Sequence, residues 1–147
     1  MTILINDRMT KGLIAGAAGA LMQNIFAYLA FLTGLTNILY IDIARALLFS
    51  KNYSGALAVI VSLIGHIIID CFWGILYAFL VKTTGSRFYV LKGVVFGAFI
   101  WFFVRVIGTK ILELPEFTGT NPATALIFIV GAVIFGLTLA FTLKFLD

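Results

Sequence analysis

Four apolar runs, at residues 11–34, 56–81, 91–112 and 122–145, dominate the chain. Each offers the ~20 residues an α-helix needs to cross the hydrocarbon core of a bilayer at 1.5 Å per residue. Inside lipid no water satisfies a free backbone group, so a spanning segment must be a helix or a strand of a closed barrel. The runs are continuously apolar rather than alternating, which argues against a barrel. Of 147 residues, 63% are hydrophobic and 11% charged, against about a quarter charged in a soluble domain. Too few polar side chains remain to coat a water-soluble globule. The expectation is an all-α integral membrane protein: one transmembrane domain over residues 1–147, a four-helix bundle with the lipid bilayer as its first partner.

The connections refine that frame. Residues 1–10 read as a short cytoplasmic arm. The first run follows polar Asn6-Asp7-Arg8 and is too long for a cleavable signal peptide. Between the first two runs, residues 37–50 hold a shorter apolar stretch with Asp42 and Arg45 three apart, close enough to pair on a helix. Capped by Thr36-Asn37 and too short to span, it predicts an interfacial or re-entrant helix. Lys51-Asn52-Tyr53-Ser54-Gly55 then breaks the chain, and Thr83-Thr84-Gly85-Ser86 is a tight-turn signal. The second and third runs should therefore form an antiparallel hairpin. Asn121 suits a helix N-cap and Pro122 the first helical position.

Charge reports orientation more than partners. The net charge of +4 comes from Lys and Arg spread thinly along the chain, which is no nucleic-acid footprint. Arg8, Lys11, Lys82, Arg87, Lys92 and Lys144 fall on one side, and Arg45, Lys51 and Lys110 on the other. Six against three predicts both termini inside.

Each run carries one stripe of small or polar residues at helical spacing. The stripes are Gly12, Gly16, Gly19, Gln23, Ala27 and Ala30; Ser62, His66, Asp70, Trp73, Gly74 and Tyr77; Gly93, Gly97, Trp101, Arg105 and Gly108; and Thr124, Gly131, Thr138 and Thr142. Lipid gives helices no hydrophobic reason to associate, so small residues and interhelical hydrogen bonds must do it. These faces predict the bundle interior, and some of them a face for self-association or a membrane-protein partner.

His66, Asp70 and Arg105 are the pointed members. An ionisable side chain at the bilayer centre costs at least ~2.5–3.5 kcal/mol on insertion scales and needs a partner or a wet cavity. Counted from the turn at Ser86, Asp70 lies about 16 residues back and Arg105 about 19 forward, so their depths differ by roughly 4 Å. The expectation is an Asp70–Arg105 pair bracketed by His66, with Gln23, Asn24, Tyr77 and Trp101 around it. That cluster suits a pathway for a small ion or solute, in which His66 carries a proton, Asp70 is its counter-charge and Arg105 sets the field. The alternative is a buried ion pair that locks the helices of a non-catalytic scaffold or accessory subunit.

Other chemistries fit poorly. The single histidine and single cysteine, Cys71, supply no disulfide and no His/Cys metal cluster. His66 and Asp70 give two ligands at most, no phosphate loop is present, and no nucleophile has an identifiable base and orienter. The sequence predicts neither an enzyme nor a bound cofactor.

Gly65-His66-Ile67-Ile68 with Tyr77, then Lys92-Gly93 and Gly97, together with the opening Lys11-Gly12-Leu13-Ile14-Ala15-Gly16, resembles the uncharacterised bacterial inner-membrane proteins of the YagU and YqhR type. The resemblance implies a small multi-pass protein of the bacterial cytoplasmic membrane and supplies no reaction or substrate. Asp70 and Arg105 lie outside its pattern.

Overall fold

A computed structural model describes residues 7–49 and 53–147. Among them, six α-helices follow one another: α1 (Arg8–Leu32), α2 (Tyr40–Leu48), α3 (Ala56–Thr84), α4 (Tyr89–Val106), α5 (Pro115–Thr118) and α6 (Pro122–Leu146). A π-helical turn, Ile107–Ile111, extends α4. Four of these segments, α1, α3, α6 and α4 with its π turn, are long and apolar enough to cross a membrane. The protein is therefore an all-α, multi-pass membrane protein with a short helix between its first and second spans. Of the expected arm over residues 1–10, Arg8, Met9 and Thr10 instead form the first turn of α1, and residues 1–6 lie outside the described residues, as do Ser50, Lys51 and Asn52 of the expected interfacial helix and chain break.

Local chemistry accounts for most helix ends. The Asp7 carboxylate accepts from the Thr10 amide at 3.0 Å and starts α1. The Asn121 side chain accepts from the Thr124 amide at 2.7 Å, with Pro122 at the first turn of α6. Gly85 ends α3 at φ +79°, a left-handed backbone that glycine adopts without a Cβ penalty. The cap expected at Thr36-Asn37 is displaced. Leu39 is the N-cap of α2, and Asp42 reaches back to accept from the Leu39 amide at 2.8 Å. Thr36 instead closes a local turn, its hydroxyl donating to the Ile38 carbonyl at 2.9 Å. The expected Asp42–Arg45 pair forms at 3.5 Å.

Across the bundle the order is α3–α1–α6–α4. The expected hairpin of the second and third runs is corrected in one respect. α3 and α4 meet through the aromatic pairs Trp73–Phe96 and Tyr77–Phe96 and, nearer their shared turn, through the Tyr77 hydroxyl donating to the Tyr89 carbonyl, but their backbones come close at few points. The reason lies in where the glycines are. A Cβ on Gly12 would meet the Ile75 backbone at 2.6 Å, and one on Gly16 would meet the Asp70 carbonyl and Cys71 Cα at 2.5 Å. Gly93 and Gly97 likewise abut the backbone of α6 at Gly136 and Ala132. Glycine contacts thus join α1 to α3 and α4 to α6, and α1 packs on α6. Nothing of this kind joins α3 to α4.

The stripes foretold most of the interior. Gly12, Gly16, Gly19, Gln23, Ala27 and Ala30 are all buried on α1, as are Ser62, His66, Asp70, Gly74 and Tyr77 on α3. On α6 the expectation is partly corrected. Thr124 and Gly131 are buried, but Thr138 and Thr142 are only half-buried, and the packed face runs through Phe128, Ala132, Phe135, Gly136 and Leu139. The Thr138 hydroxyl satisfies itself on the Ile134 carbonyl at 2.8 Å, so it needs no place in the interior.

Candidate functional site

Because α3 and α4 diverge, a gap opens between them on the side away from their turn. α2 lies against α3 and closes part of it, with Leu48 seated over Gly65, where a Cβ would meet Leu48 Cδ1 at 2.6 Å. α5 and the π turn close another part, with Phe117 packed on Gly108. A chamber of about 310 Å³ remains. This is near the lower limit of the ~300–1,000 Å³ typical of small-molecule sites.

Most of its wall is apolar and aromatic. Tyr40, Trp73, Trp101, Phe128 and Phe135 face it. Tyr40 stacks on the His66 ring at a centroid distance of 5.4 Å, meets Phe128 edge-on at 4.6 Å, and donates its hydroxyl to the Phe128 carbonyl at 3.0 Å. Tyr40 thereby pins α2 to both α3 and α6.

The polar groups sit at two places. His66 and Asp70, 7% and 6% exposed, lie one turn apart on α3. Their Nε2 and Oδ2 atoms are 3.5 Å apart, and neither makes a hydrogen bond among the described residues. Gln23, equally buried, lines the chamber from α1. On the α4 and α5 side are Arg105, Thr120 and Glu116. Arg105 donates to the Thr120 hydroxyl at 2.9 Å, and Glu116 Oε2 is buried without a hydrogen-bond partner among the described residues.

The structure therefore gathers His66, Asp70, Arg105, Gln23 and Trp101 on one chamber but does not join them as the sequence suggests. The Asp70–Arg105 pair does not form. The depth count places both residues on the chamber, but the lateral gap between α3 and α4 separates them, and Arg105 is held by Thr120. Asn24 is off the chamber, its amide donating to the Ala20 carbonyl at 2.7 Å. Tyr77 is also off it, fully buried and bonded to the Tyr89 carbonyl.

Among the wall residues that sequence reasoning missed are Tyr40 and Glu116. Tyr40 reads as an interfacial aromatic, and only the folding back of α2 turns it inward. Glu116 reads as an outer-loop acid, and nothing in its neighbourhood signals that α5 tucks it against the wall. Among the described residues no group of three His, Cys, Asp or Glu side chains is placed to hold a metal ion. The chain matches no known protein family, no curated protein and no solved structure.

Proposed function

We propose that this protein moves a small ion or solute across the membrane, with the chamber as its binding station. The observation that carries this reading is the His66–Asp70 pair. It lies on a chamber wall, nine-tenths buried, and its facing atoms make no hydrogen bond among the described residues. A buried carboxylate in this condition destabilises the fold unless a mobile partner, such as a proton or a solute, completes it.

The scaffold alternative is less well supported. A structural ion pair sets helix register only when it joins two helices, and His66 and Asp70 belong to the same one. In the transport reading His66 and Asp70 exchange the proton or solute, while Arg105, fixed on the opposite wall, shapes the field. No covalent chemistry is required of the site. The positive-inside count and the resemblance to YagU- and YqhR-type proteins add the setting: a bacterial inner membrane, both termini cytoplasmic, and self-association or a membrane-protein partner.

The test is proton and ion flux in proteoliposomes, comparing wild type with Asp70→Asn and His66→Ala that elute as monodisperse species. Flux in the wild type and its loss in both variants is the expected result. Undiminished flux in folded Asp70→Asn would sink the proposal. A wild type without flux that co-purifies with a native membrane partner would move the protein to the scaffold class.

A further inference from the structure

The chamber's unmet hydrogen-bonding needs point to the class of solute, an inference that rests on reading the chamber as a solute site. Two buried carboxylate oxygens, Asp70 Oδ2 and Glu116 Oε2, lack a hydrogen-bond donor among the described residues. The wall's arginine does not supply one. Arg105 donates to a neutral hydroxyl, that of Thr120, and forms no ion pair among the described residues. The wall thus sets two carboxyl groups, Asp70 and Glu116, against one guanidinium, Arg105. What the wall wants is N–H donors and positive charge. An anion would have to approach two carboxyl groups to reach one guanidinium.

The remaining surface says what the rest of the molecule must be. Tyr40, Trp73, Trp101 and Phe128 present aromatic rings to the chamber. Such rings attract cations at their faces and accept an apolar body at no polar cost. A hydrated inorganic cation would find few oxygens here to replace its water. A volume of about 310 Å³ suits a molecule with one ring or a short branched chain.

We infer that the chamber binds small organic cations, with a protonated amine hydrogen-bonded to Asp70 Oδ2 and an aromatic or aliphatic body lodged among Tyr40, Trp73 and Trp101. Glu116, across the chamber, adds to the attraction without being the primary contact, because it lies nearer to Arg105's side of the wall.

Both tryptophans of the chain, Trp73 and Trp101, line the chamber, so intrinsic fluorescence reports on its occupancy. The experiment titrates the protein, in nanodiscs of zwitterionic lipid, with 2-phenylethylammonium, with its neutral match 2-phenylethanol and with the anion phenylacetate. The expected result is a saturable response to the ammonium, with the alcohol about tenfold or more weaker and phenylacetate weaker still, as loss of a charge-assisted hydrogen bond dictates. Asp70→Asn should weaken the ammonium about tenfold and leave the alcohol nearly unchanged. If Asp70→Asn fails to elute as a monodisperse species, the wild-type ammonium-to-alcohol ratio decides by itself, and Glu116→Gln should lower that ratio by a smaller factor. Phenylacetate binding as tightly as the ammonium, and lost in Arg105→Gln, would overturn the cation assignment. So would the absence of a saturable response to all three. Saturable ammonium binding without any flux would uphold this inference and defeat the transport reading, and flux without ammonium binding would do the reverse.

Discussion

The two halves of the bundle solve the same problem in opposite ways. In the half that holds Asp7 and Asp147, helices touch backbone to backbone. Gly12, Gly16 and Gly74 seat α1 on α3, and Gly93, Gly97 and Gly136 seat α4 on α6. In the other half, α3 and α4 stand apart, and the space between them is shared by aromatic rings, a folded-back helix and a chamber. Lipid offers no hydrophobic drive for helix association, so the first half obtains its cohesion from close contact. The second half forgoes some of that contact and keeps ionisable side chains where no packing satisfies them. Close helix packing and buried ionisable side chains are thus concentrated in different parts of the bundle, and each part should respond to mutation in its own way.

The largest effect should come from the glycine half. A Cβ at Gly97 would collide with the Ala132 carbonyl, which is backbone and cannot swing aside. Gly97→Val should lower stability by about 3 kcal/mol, the upper part of the range for overpacking. Thermal unfolding in detergent, followed by loss of monodisperse elution, reads it out. A Gly97→Val protein as stable as wild type would mean that α4 and α6 are not in backbone contact.

The chamber half should tolerate added bulk and lose function instead. Ala44 on α2 faces the chamber. Ala44→Leu should fill part of the space, change stability by less than about 1.5 kcal/mol, and weaken binding of a chamber ligand about tenfold, a factor equivalent to ~1.4 kcal/mol. The same titration of tryptophan fluorescence checks it. If Ala44→Leu destabilises the protein as much as Gly97→Val does, the contrast between the halves fails.

This contrast also marks what the sequence made legible. Four spans, the caps at Asn121 and Pro122, and the Asp42–Arg45 pair follow from local rules, and each is present. Helical periodicity found the buried faces of α1 and α3 because one short stripe decides each of them. It could not say which stripe meets which. Gly136, absent from the stripe read on α6, is the contact that draws α4 to α6 and so separates Arg105 from Asp70. A depth count along two helices fixes one coordinate of a pair. The lateral coordinate depends on every other helix in the bundle. Tyr40 shows the same limit, since its inward position depends on how the whole of α2 folds back over Gly65.

A smaller effect tests how α2 is held against the chamber. Tyr40→Phe removes the hydrogen bond to the Phe128 carbonyl but keeps the ring on His66. The expected loss is about 1 kcal/mol, the net worth of one neutral hydrogen bond. Faster protease cleavage between α2 and α3, with the rest of the bundle intact, would show that the hydroxyl acts on this helix in particular. Unchanged cleavage would mean that stacking and side-chain packing alone hold α2 in place.

The smallest effect lies at the far end of the glycine half, where α1 and α6 are tied by charge as well as by packing. Asp147 accepts from Arg8 at 2.8 Å and from Lys11 at 2.7 Å. Burial alone would push its carboxyl up, but the hydrogen bonds from Lys11 and Arg8 and their charges outweigh burial and hold it below the ordinary value of 3.8. A carboxyl whose pKa is lower folded than unfolded stabilises the fold above its unfolded pKa, and the contribution disappears as pH falls through the folded one. The tie is therefore fully present at neutral pH and is lost below about pH 4, within the range of ordinary aspartate titration. The carboxylate is about a third exposed, so solvent screens the pair, and its removal should cost no more than about 1 kcal/mol. Asp147→Asn should show that small loss at pH 7 and a flatter stability profile between pH 5 and 3 than the wild type, and added salt should narrow the difference. Identical acid profiles for the two proteins would mean that packing alone, and not charge, holds α1 to α6 at this end of the bundle.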